Sequence, residues 1–305
     1  MVSICHSIVD HVVLLIIILL LIYAAYALLE SNYLYAQAQS DKLEQFKPEG
    51  SQSLSFSELQ EINPDVIAWL EVYGTKIDYP VLYSEESNKY LDTAVDGSYS
   101  MAGSIYLDAN NSPDFIDFNT IIYGHHMEES AMFGDLDKFL EEDFFDNHMY
   151  GNLHFGGRDY GLEFFSYIVA DAYDWKLYNP GIDVSQNKKS DYLLYLKESA
   201  LYYREIDIMA NDRIVLLSTC APEPTNGRHI LVAKITDEVF TNNFLDNETS
   251  KKKFSIDIQT VISNMKSMGF IKIMIIFSII VILVIALMKL ERHLIKKRKK
   301  SMENK

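Results

Sequence analysis

Two long apolar stretches divide the chain into membrane segments and a folded domain between them. Val12 to Leu29 holds no charged residue over 18 positions, which is the length of a bilayer-spanning helix. Met268 to Met288 is a second such stretch, and Lys272 lies near enough to its end for the ammonium to reach the headgroups. The pattern therefore predicts a short N-terminus (residues 1–11), a membrane anchor (12–29) and a stalk (30–55) before the folded domain (56–240). After the domain it predicts a linker (241–267), a second span (268–288) and a tail (289–305).

Inside the folded domain the apolar runs become short and are separated by turn residues. Ile214 to Leu217 is apolar and β-branched, which predicts a buried strand, and Ile230 to Ile235 predicts another. Between them, Asn226-Gly227 is a hairpin-type turn signal, and Pro222 and Pro224 exclude continued central pairing. Many short strands with a few helices predict a mostly β, mostly antiparallel barrel or sandwich with helical additions.

The remaining pattern predicts three helical segments and further short strands. A helix is expected to start at Ser57 and to end near Asn63, with a short turn over Asp65–Leu70. Apolar positions at helical spacing predict helices over Ser130–Phe145 and Lys188–Ser199. The other extended segments are Val72–Tyr83 with a turn at Gly74, Ser104–Asp108, Thr120–Tyr123, Tyr150–Leu153, Leu162–Asp171 and Ile206–Met209.

The candidate chemistry lies at the ends of these strands. Cys220 ends one strand and Arg228 begins the next, so one loop brings a thiol and a guanidinium together. A neighbouring cation favours the thiolate, which is the reactive form of cysteine. A lone cysteine at a strand end is also a common small apolar core residue, and the pattern leaves both interpretations open.

A third strand, predicted over Thr120–Tyr123, leads to the adjacent His125 and His126. Neighbouring side chains on a strand point to opposite faces, so only one of the two histidines can face the thiol, and the pattern does not choose between them. Adjacent histidines on a strand do not easily chelate one ion, and no matching Cys/His cluster exists in the sequence. We therefore expect no metal and no cofactor.

The charge and the cysteine content narrow the class of protein. The net charge is −16, and the acidic excess falls in the folded domain, which disfavours nucleic acid as a partner. The two cysteines, Cys5 and Cys220, are expected on opposite sides of the membrane, so they cannot pair. An external domain without a disulfide is more typical of a monoderm bacterial surface than of an animal secreted module.

The tail sets the expected orientation. Lys289 to Lys305 contains eight Lys and Arg residues against two Glu, so this end is predicted to be cytoplasmic. With two spans, both termini are inside, and the folded domain is outside at the cell membrane. Ala25-Tyr-Ala27 resembles a signal-peptide cleavage site, but residues 1–11 contain no Lys or Arg, which favours an uncleaved anchor.

Taken together, these segments resemble the sortases, the membrane-anchored cysteine transpeptidases of Gram-positive bacteria. The resemblance rests on Leu217-Ser-Thr-Cys220, on Gly227-Arg228 opening a strand, and on Tyr123-Gly-His125 upstream. It extends over residues 55–237. Class B members are matched by Ile62–Trp69, Ile77–Val81, Ala102–Tyr106, Asn119–Met127 and the helix before the cysteine strand.

The resemblance implies a closed eight-stranded β-barrel with added helices, here flanked by two transmembrane helices. It implies that Cys220 is the nucleophile, His125 the general acid and base, and Arg228 the group that stabilises the oxyanion. Ser218, Thr219 and His126 are expected to line the substrate site. The implied reaction cleaves the C-terminal sorting signal of a surface protein through a thioester on Cys220 and passes the acyl group to a cell-wall amine.

Two features depart from the class B pattern, and alternative functions are compared with the resemblance. A second span and a basic tail are more common in class C pilin polymerases, so a pilin lysine is the alternative acceptor. The first acid after Cys220 is Glu223, which makes a Cys-His-carboxylate triad doubtful. A non-catalytic membrane-anchored scaffold is a further alternative, whereas an L,D-transpeptidase is disfavoured because the chain lacks a Ser-His-Gly-Cys run.

Overall fold

The computed structural model describes residues 14–24, 26–27, 38, 43–48, 54–127, 130–180, 185–220 and 227–244. The predicted second span, the basic tail and Cys5 lie outside these residues. Of the predicted anchor, residues 14–24 and 26–27 are helical. Within the described part of the chain, no helix is both long and apolar enough to cross a membrane.

The folded domain is built on nine β-strands, of which eight close into a ring. The strands are β1 (Val66–Val72), β2 (Asp78–Leu82), β3 (Ile105–Leu107), β4 (Asn119–Gly124), β5 (Tyr150–Phe155), β6 (Arg158–Asp171), β7 (Tyr202–Tyr203), β8 (Arg213–Cys220) and β9 (Gly227–Thr236). Their order is β5-β1-β2-β3-β4-β8-β9-β6-β7, and β5 also pairs with β6. That last pairing closes the predicted eight-stranded barrel, and the two-residue β7 is added outside the ring.

Two of the strand pairs in the ring are parallel. β2 pairs in parallel with β3, and β4 pairs in parallel with β8, whereas the other pairs are antiparallel. Pro80 lies in β2 opposite Trp69 of β1, and the pairing of β2 with β3 begins only at Val81. The proline therefore occupies a part of the strand that has a ladder on one side only, where its missing N–H costs nothing.

Alternate residues of the strands pack into different hydrophobic clusters, one inside the barrel and two on its outer surface. On β9, Leu231 and Ala233 join the large interior cluster, whereas Ile230 and Val232 join a cluster on the outside of the barrel. This is the period of two that a strand imposes on its side chains. In β6 the period shifts at a bulge between Phe164 and Ser166, which lets both Phe164 and Tyr167 face the interior.

Three α-helices lie around the barrel: α1 (Leu54–Ile62), α2 (Glu142–Asn147) and α3 (Gln186–Ser199). Tyr192 and Leu196 of α3 cover the outer cluster over β8 and β9. Phe56 and Leu59 of α1 cover a third cluster, which contains Trp69 of β1. Short 3-10 helices lie at Glu44–Phe46, Lys89–Leu91 and Gly134–Leu140.

The sequence pattern misplaces several elements. The turn expected over Asp65–Leu70 is wrong, because Val66–Val72 forms β1. The single helix expected over Ser130–Phe145 is instead the 3-10 helix Gly134–Leu140 followed by α2. Ile206–Met209 forms no strand, and the short strand in this region is β7.

His148, which follows α2, is enclosed in an aromatic stack. Its ring lies between those of Phe144 and Phe244, at centroid distances of 3.6 and 4.7 Å with nearly parallel planes. Its Nδ1–H donates to the carbonyl oxygen of Phe144 at 2.8 Å. Burial lowers the pKa of His148 below the ordinary value of 6.5 because a charged ring is poorly solvated there.

This burial predicts a pH dependence of stability. As the pH falls below 6.5, His148 becomes protonated in the unfolded chain before it does so in the folded protein. The free energy of unfolding therefore decreases as the pH falls through this range, and this contribution to stability is fully present above it. His148→Phe preserves an aromatic ring in the stack without a titrating group. Urea unfolding at about pH 7.5 and about pH 5.5 should show a smaller loss in the variant than in the native protein. Equal losses in both would contradict the assignment.

Candidate active site

The candidate active site lies where β4, β8 and β9 end side by side. β8 is the middle strand of the three, and its last residues pair on both sides. Gly124 of β4 lies opposite Thr219 of β8, which in turn lies opposite His229 of β9. These three residues form one row across the three strands. Every predicted site residue is one of them or lies at most two residues away from one of them in the sequence.

Cys220 and Arg228 occupy the next register position. Cys220 is the last residue of β8, and its Cα partner across the ladder is Arg228 of β9. Directly opposite residues on neighbouring strands are close neighbours, with Cβ separations of about 4.5–5.5 Å. The guanidinium of Arg228 is partly exposed, and its Nη1 donates to the carbonyl oxygen of Gly227 at 2.9 Å. The strand pairing thus brings the predicted nucleophile and the predicted cation together.

His125 follows the end of β4 and is held by a backbone carbonyl. Its Nε2 lies 2.7 Å from the carbonyl oxygen of Leu91, in the 3-10 helix Lys89–Leu91. Because a carbonyl only accepts hydrogen bonds, Nε2 carries a proton in this arrangement. The other ring nitrogen, Nδ1, is therefore the one left to give up or take up a proton. The ring is partly exposed, as a group that exchanges protons with a substrate must be.

His126 and His229 point to a carboxylate that the sequence analysis did not single out. His126 Nε2 lies 2.6 Å from Asp137 Oδ2, and His229 Nδ1 lies 2.6 Å from Asp137 Oδ1. His229 is almost completely buried, and its ring also packs edge-on against Tyr167. The structure thus places His126 with Asp137 and His229, and His125 with Leu91, so the two adjacent histidines have different surroundings.

Ser218 and Thr219 are both buried beneath the strand end. The hydroxyl of Ser218 shares a hydrogen bond of 2.9 Å with that of Tyr178, whose ring stacks on Tyr123 of β4. The hydroxyl oxygen of Thr219 is buried and finds no hydrogen-bond partner among the residues that the structure describes. Tyr123 in turn donates to Asp108, and burial followed by the charge of Asp108 raises the pKa of Tyr123, so this phenol stays protonated.

Among the described residues, no group of three or more His, Cys, Asp or Glu side chains is arranged to hold a metal ion. The predicted site residues at the strand ends supply a thiol, an imidazole and a guanidinium. These three groups suffice for acyl transfer, which needs a nucleophile, a proton donor and a stabilised oxyanion.

Comparisons with known proteins identify the family of the chain. The Sortase domain profile matches residues 70–236. Sortase B of Listeria monocytogenes is 35% identical over 182 residues, which cover 58% of this chain and 72% of that protein. The chain belongs to the sortase family.

Solved structures give the same result. Sortase B from the Type II pilus of Streptococcus pneumoniae aligns with a TM-score of 0.53 and 48% identity, over 60% of this chain and 99% of that one. A Streptococcus pyogenes class B sortase involved in pilus biogenesis aligns with a TM-score of 0.56 and 38% identity, over 60% and 98% of the two chains. This sortase is therefore related to class B members and is a cysteine transpeptidase.

The Leu91 carbonyl group, which accepts the hydrogen bond from His125, lies against the backbone of a glycine, Gly103. Gly103 has a φ of +58°, and a Cβ at this position would lie 2.5 Å from the carbonyl oxygen of Leu91. Gly97 has a φ of +81°, but a Cβ there meets no atom within 4 Å. Alanine at either position carries a similar backbone strain of about 1–2 kcal/mol. Only alanine at Gly103 would also push the Leu91 carbonyl.

We therefore expect Gly103→Ala to lower the rate of peptide cleavage by about tenfold or more, because small displacements of catalytic groups are costly. Gly97→Ala should stay within about twofold of the native rate, since it shares only the backbone strain. The measurement is the initial rate of cleavage of a quenched fluorescent peptide, at a temperature where both variants are folded. Equal rates in the two variants would show that the Leu91 carbonyl does not position His125.

Proposed function

We propose that this sortase cleaves the C-terminal sorting signal of a surface protein through a thioester on Cys220 and transfers the acyl group to an amine. The observation that carries the proposal is the register of three strand ends. Cys220 lies opposite Arg228 on one side, and on the other side the end of β4 leads directly into His125. This register supports the proposal that a thiol, a cation and a proton carrier act on one peptide bond.

In the first half-reaction the thiolate of Cys220 attacks the carbonyl carbon of the scissile peptide bond. The negative charge that develops on the carbonyl oxygen is stabilised by Arg228, which cannot lose its proton at physiological pH. His125, as an imidazolium, protonates the leaving amine as the carbon–nitrogen bond breaks. A thioester on Cys220 and a free C-terminal fragment result.

In the second half-reaction an incoming amine attacks the thioester carbonyl. His125, now neutral, accepts a proton from this amine, and the tetrahedral intermediate again places its charge near Arg228. Collapse of the intermediate forms an amide bond and releases the thiolate of Cys220. His125 is returned to its protonated form, so the cycle needs no cofactor.

The acceptor amine is proposed to belong to the cell wall. A lysine of a pilin subunit is the second candidate, and it is favoured by the similarity to two class B sortases, one from a pilus and one involved in pilus biogenesis. The two acceptors give different products. A cell-wall amine ends the reaction after one transfer, whereas a pilin lysine allows repeated transfer and a ladder of covalent polymers.

We further propose that the enzyme is anchored in the cell membrane, with the catalytic domain outside and both termini in the cytoplasm. Support comes from the two ends of the described domain, which meet at one carboxylate. Glu71 Oε2 pairs with Lys47 at 2.7 Å, and Glu71 Oε1 accepts from Asn242 at 2.9 Å. Entry and exit at one place suit a domain whose two ends lead to the same bilayer.

The nucleophilic role predicts a sharp effect of replacing Cys220. Cys220→Ser is nearly isosteric but should lower turnover below detection, because a serine hydroxyl is not ionised at neutral pH and His125 enters the first step as an imidazolium that cannot accept its proton. A thiol-directed vinyl sulfone should label the native protein and leave Cys220→Ala unlabelled at this site. Substantial turnover by the serine variant would refute the thioester, and a native protein that is not labelled would favour the non-catalytic scaffold.

The orientation predicts that an epitope attached after Lys305 is protected in intact protoplasts. The reason is the basic tail, since Lys and Arg within about 15–20 residues of a span hold that end in the cytoplasm. External protease should remove the catalytic domain and spare the epitope until the membrane is opened by detergent. Digestion of the epitope while the membrane stays sealed would overturn the two-span arrangement.

A further inference from the structure

A single carboxylate joins the two chain segments that carry His125 and Arg228. Asp137 lies in the 3-10 helix Gly134–Leu140, and each of its oxygens pairs with one imidazole at 2.6 Å. One imidazole belongs to His126, the residue after His125, and the other belongs to His229, the residue after Arg228. We call the group His126–Asp137–His229 the histidine clamp.

The histidine clamp and the reactive groups lie on opposite sides of the same strands. On β9, the odd-numbered Leu231 and Ala233 face the barrel interior, and His229 continues this row. Arg228 instead continues the outward row of Ile230 and Val232. The clamp therefore holds the backbone from the interior side, opposite to the side on which Arg228 lies.

The clamp also spans strands that do not touch each other. β4 and β9 are separated by β8, so no ladder hydrogen bond joins the segment after β4 to the start of β9. Two strand spacings amount to about 10 Å. Asp137 bridges this gap by accepting one hydrogen bond from His126 and one from His229.

The three residues of the clamp differ in burial, and the most buried one restricts its geometry. The side chain of His229 is only 4% exposed, that of His126 is 21% exposed and that of Asp137 is 33% exposed. A buried imidazole without a partner is costly, so His229 favours the single arrangement in which Asp137 accepts from it. Both imidazoles must present an N–H to the carboxylate, which fixes the orientation of each ring.

We infer that Asp137 is a positioning residue, which through His126 and His229 sets the separation between His125 and Arg228 so that both reach the same scissile peptide bond. The inference deepens the proposed function and rests on the roles given there to His125 and Arg228. Asp137 itself does not touch the reacting atoms. Its loss should therefore affect the chemical step more than substrate binding or the reactivity of the thiol.

The chain offers a matched control in the same 3-10 helix. Asp135 is almost fully buried, accepts from the backbone N–H of Lys76 at 2.8 Å and pairs with Lys138. Its substitution removes a buried carboxylate from the same helix without touching either histidine. Asp135→Asn therefore reports how much of any effect is general loosening of the helix.

The experiment compares full-length Asp137→Ala, Asp137→Asn and Asp135→Asn with the native protein. The probe is a quenched fluorescent peptide chosen from a library by turnover with the native enzyme, and vinyl sulfone labelling of Cys220 is measured in parallel. We expect Asp137→Ala to lower kcat by about 10- to 100-fold, with KM and the labelling rate within about threefold of native. Asp137→Asn should recover part of kcat, because an amide still pairs with at least one imidazole.

Asp135→Asn should lower the melting temperature while keeping kcat within about threefold, measured below that temperature. His126→Ala combined with Asp137→Ala should be no slower than Asp137→Ala alone, since both changes break the same clamp. A folded Asp137→Asn or Asp137→Ala with native kcat would overturn the inference. So would a loss of kcat in Asp135→Asn equal to that in Asp137→Ala.

A measurement without substrate separates the clamp from the proposed function. In ¹H–¹⁵N spectra of the side chains, Asp137→Asn should shift the ring resonances of His125 and the guanidinium resonances of Arg228, although Asp137 is bonded to neither. If these signals move but no peptide is cleaved by the native protein, the clamp stands and the proposed function fails. If peptides are cleaved and the signals do not move, the function stands and the clamp is wrong.

Discussion

The site depends on the fact that β8 is hydrogen-bonded along both of its edges. β4 pairs with it in parallel from Ile214 to Thr219, and β9 pairs with it antiparallel from Arg213 to Cys220. A strand held on both sides cannot slip by one residue without breaking two ladders and turning its buried side chains to the wrong face. The position of Cys220 in the register is therefore set by the barrel and not by the loop that follows it.

The parts of the site that follow from local pattern were predictable from the sequence. The apolar runs Ile214–Leu217 and Ile230–Ile235 place β8 and β9 correctly, whereas the prolines and Asn226 of the predicted loop between them lie outside the described residues. β1 was missed because Ala68, Trp69 and Leu70 are all buried, so the strand has no polar alternation to reveal it. Pro64, which precedes the strand, favours a turn locally, and only the pairing of β1 with β2 and β5 makes this segment a strand.

The supporting groups of the site were not predictable, because they come from distant parts of the chain. Asp137 meets His126 across 11 residues and His229 across 92. The acceptor for His125 is a backbone carbonyl, which every residue has, so the identity of Leu91 carries no signal. Tyr178 reaches Ser218 from 40 residues away. Contacts of this kind arise from the closure of the barrel, and no spacing in the sequence encodes them.

The division of polar groups between the two faces of these strand ends follows from opposite physical demands. In the proposed mechanism His125 gains and loses a proton, which needs a partly exposed ring with one nitrogen free. Accurate placement needs hydrogen bonds with little access to water, and His229, the most buried residue of the clamp, donates such a bond to Asp137. One side chain cannot satisfy both demands. Because successive residues on a strand face opposite ways, two adjacent residues can, and the pairs His125-His126 and Arg228-His229 each combine one residue proposed to react with one residue that pairs with Asp137.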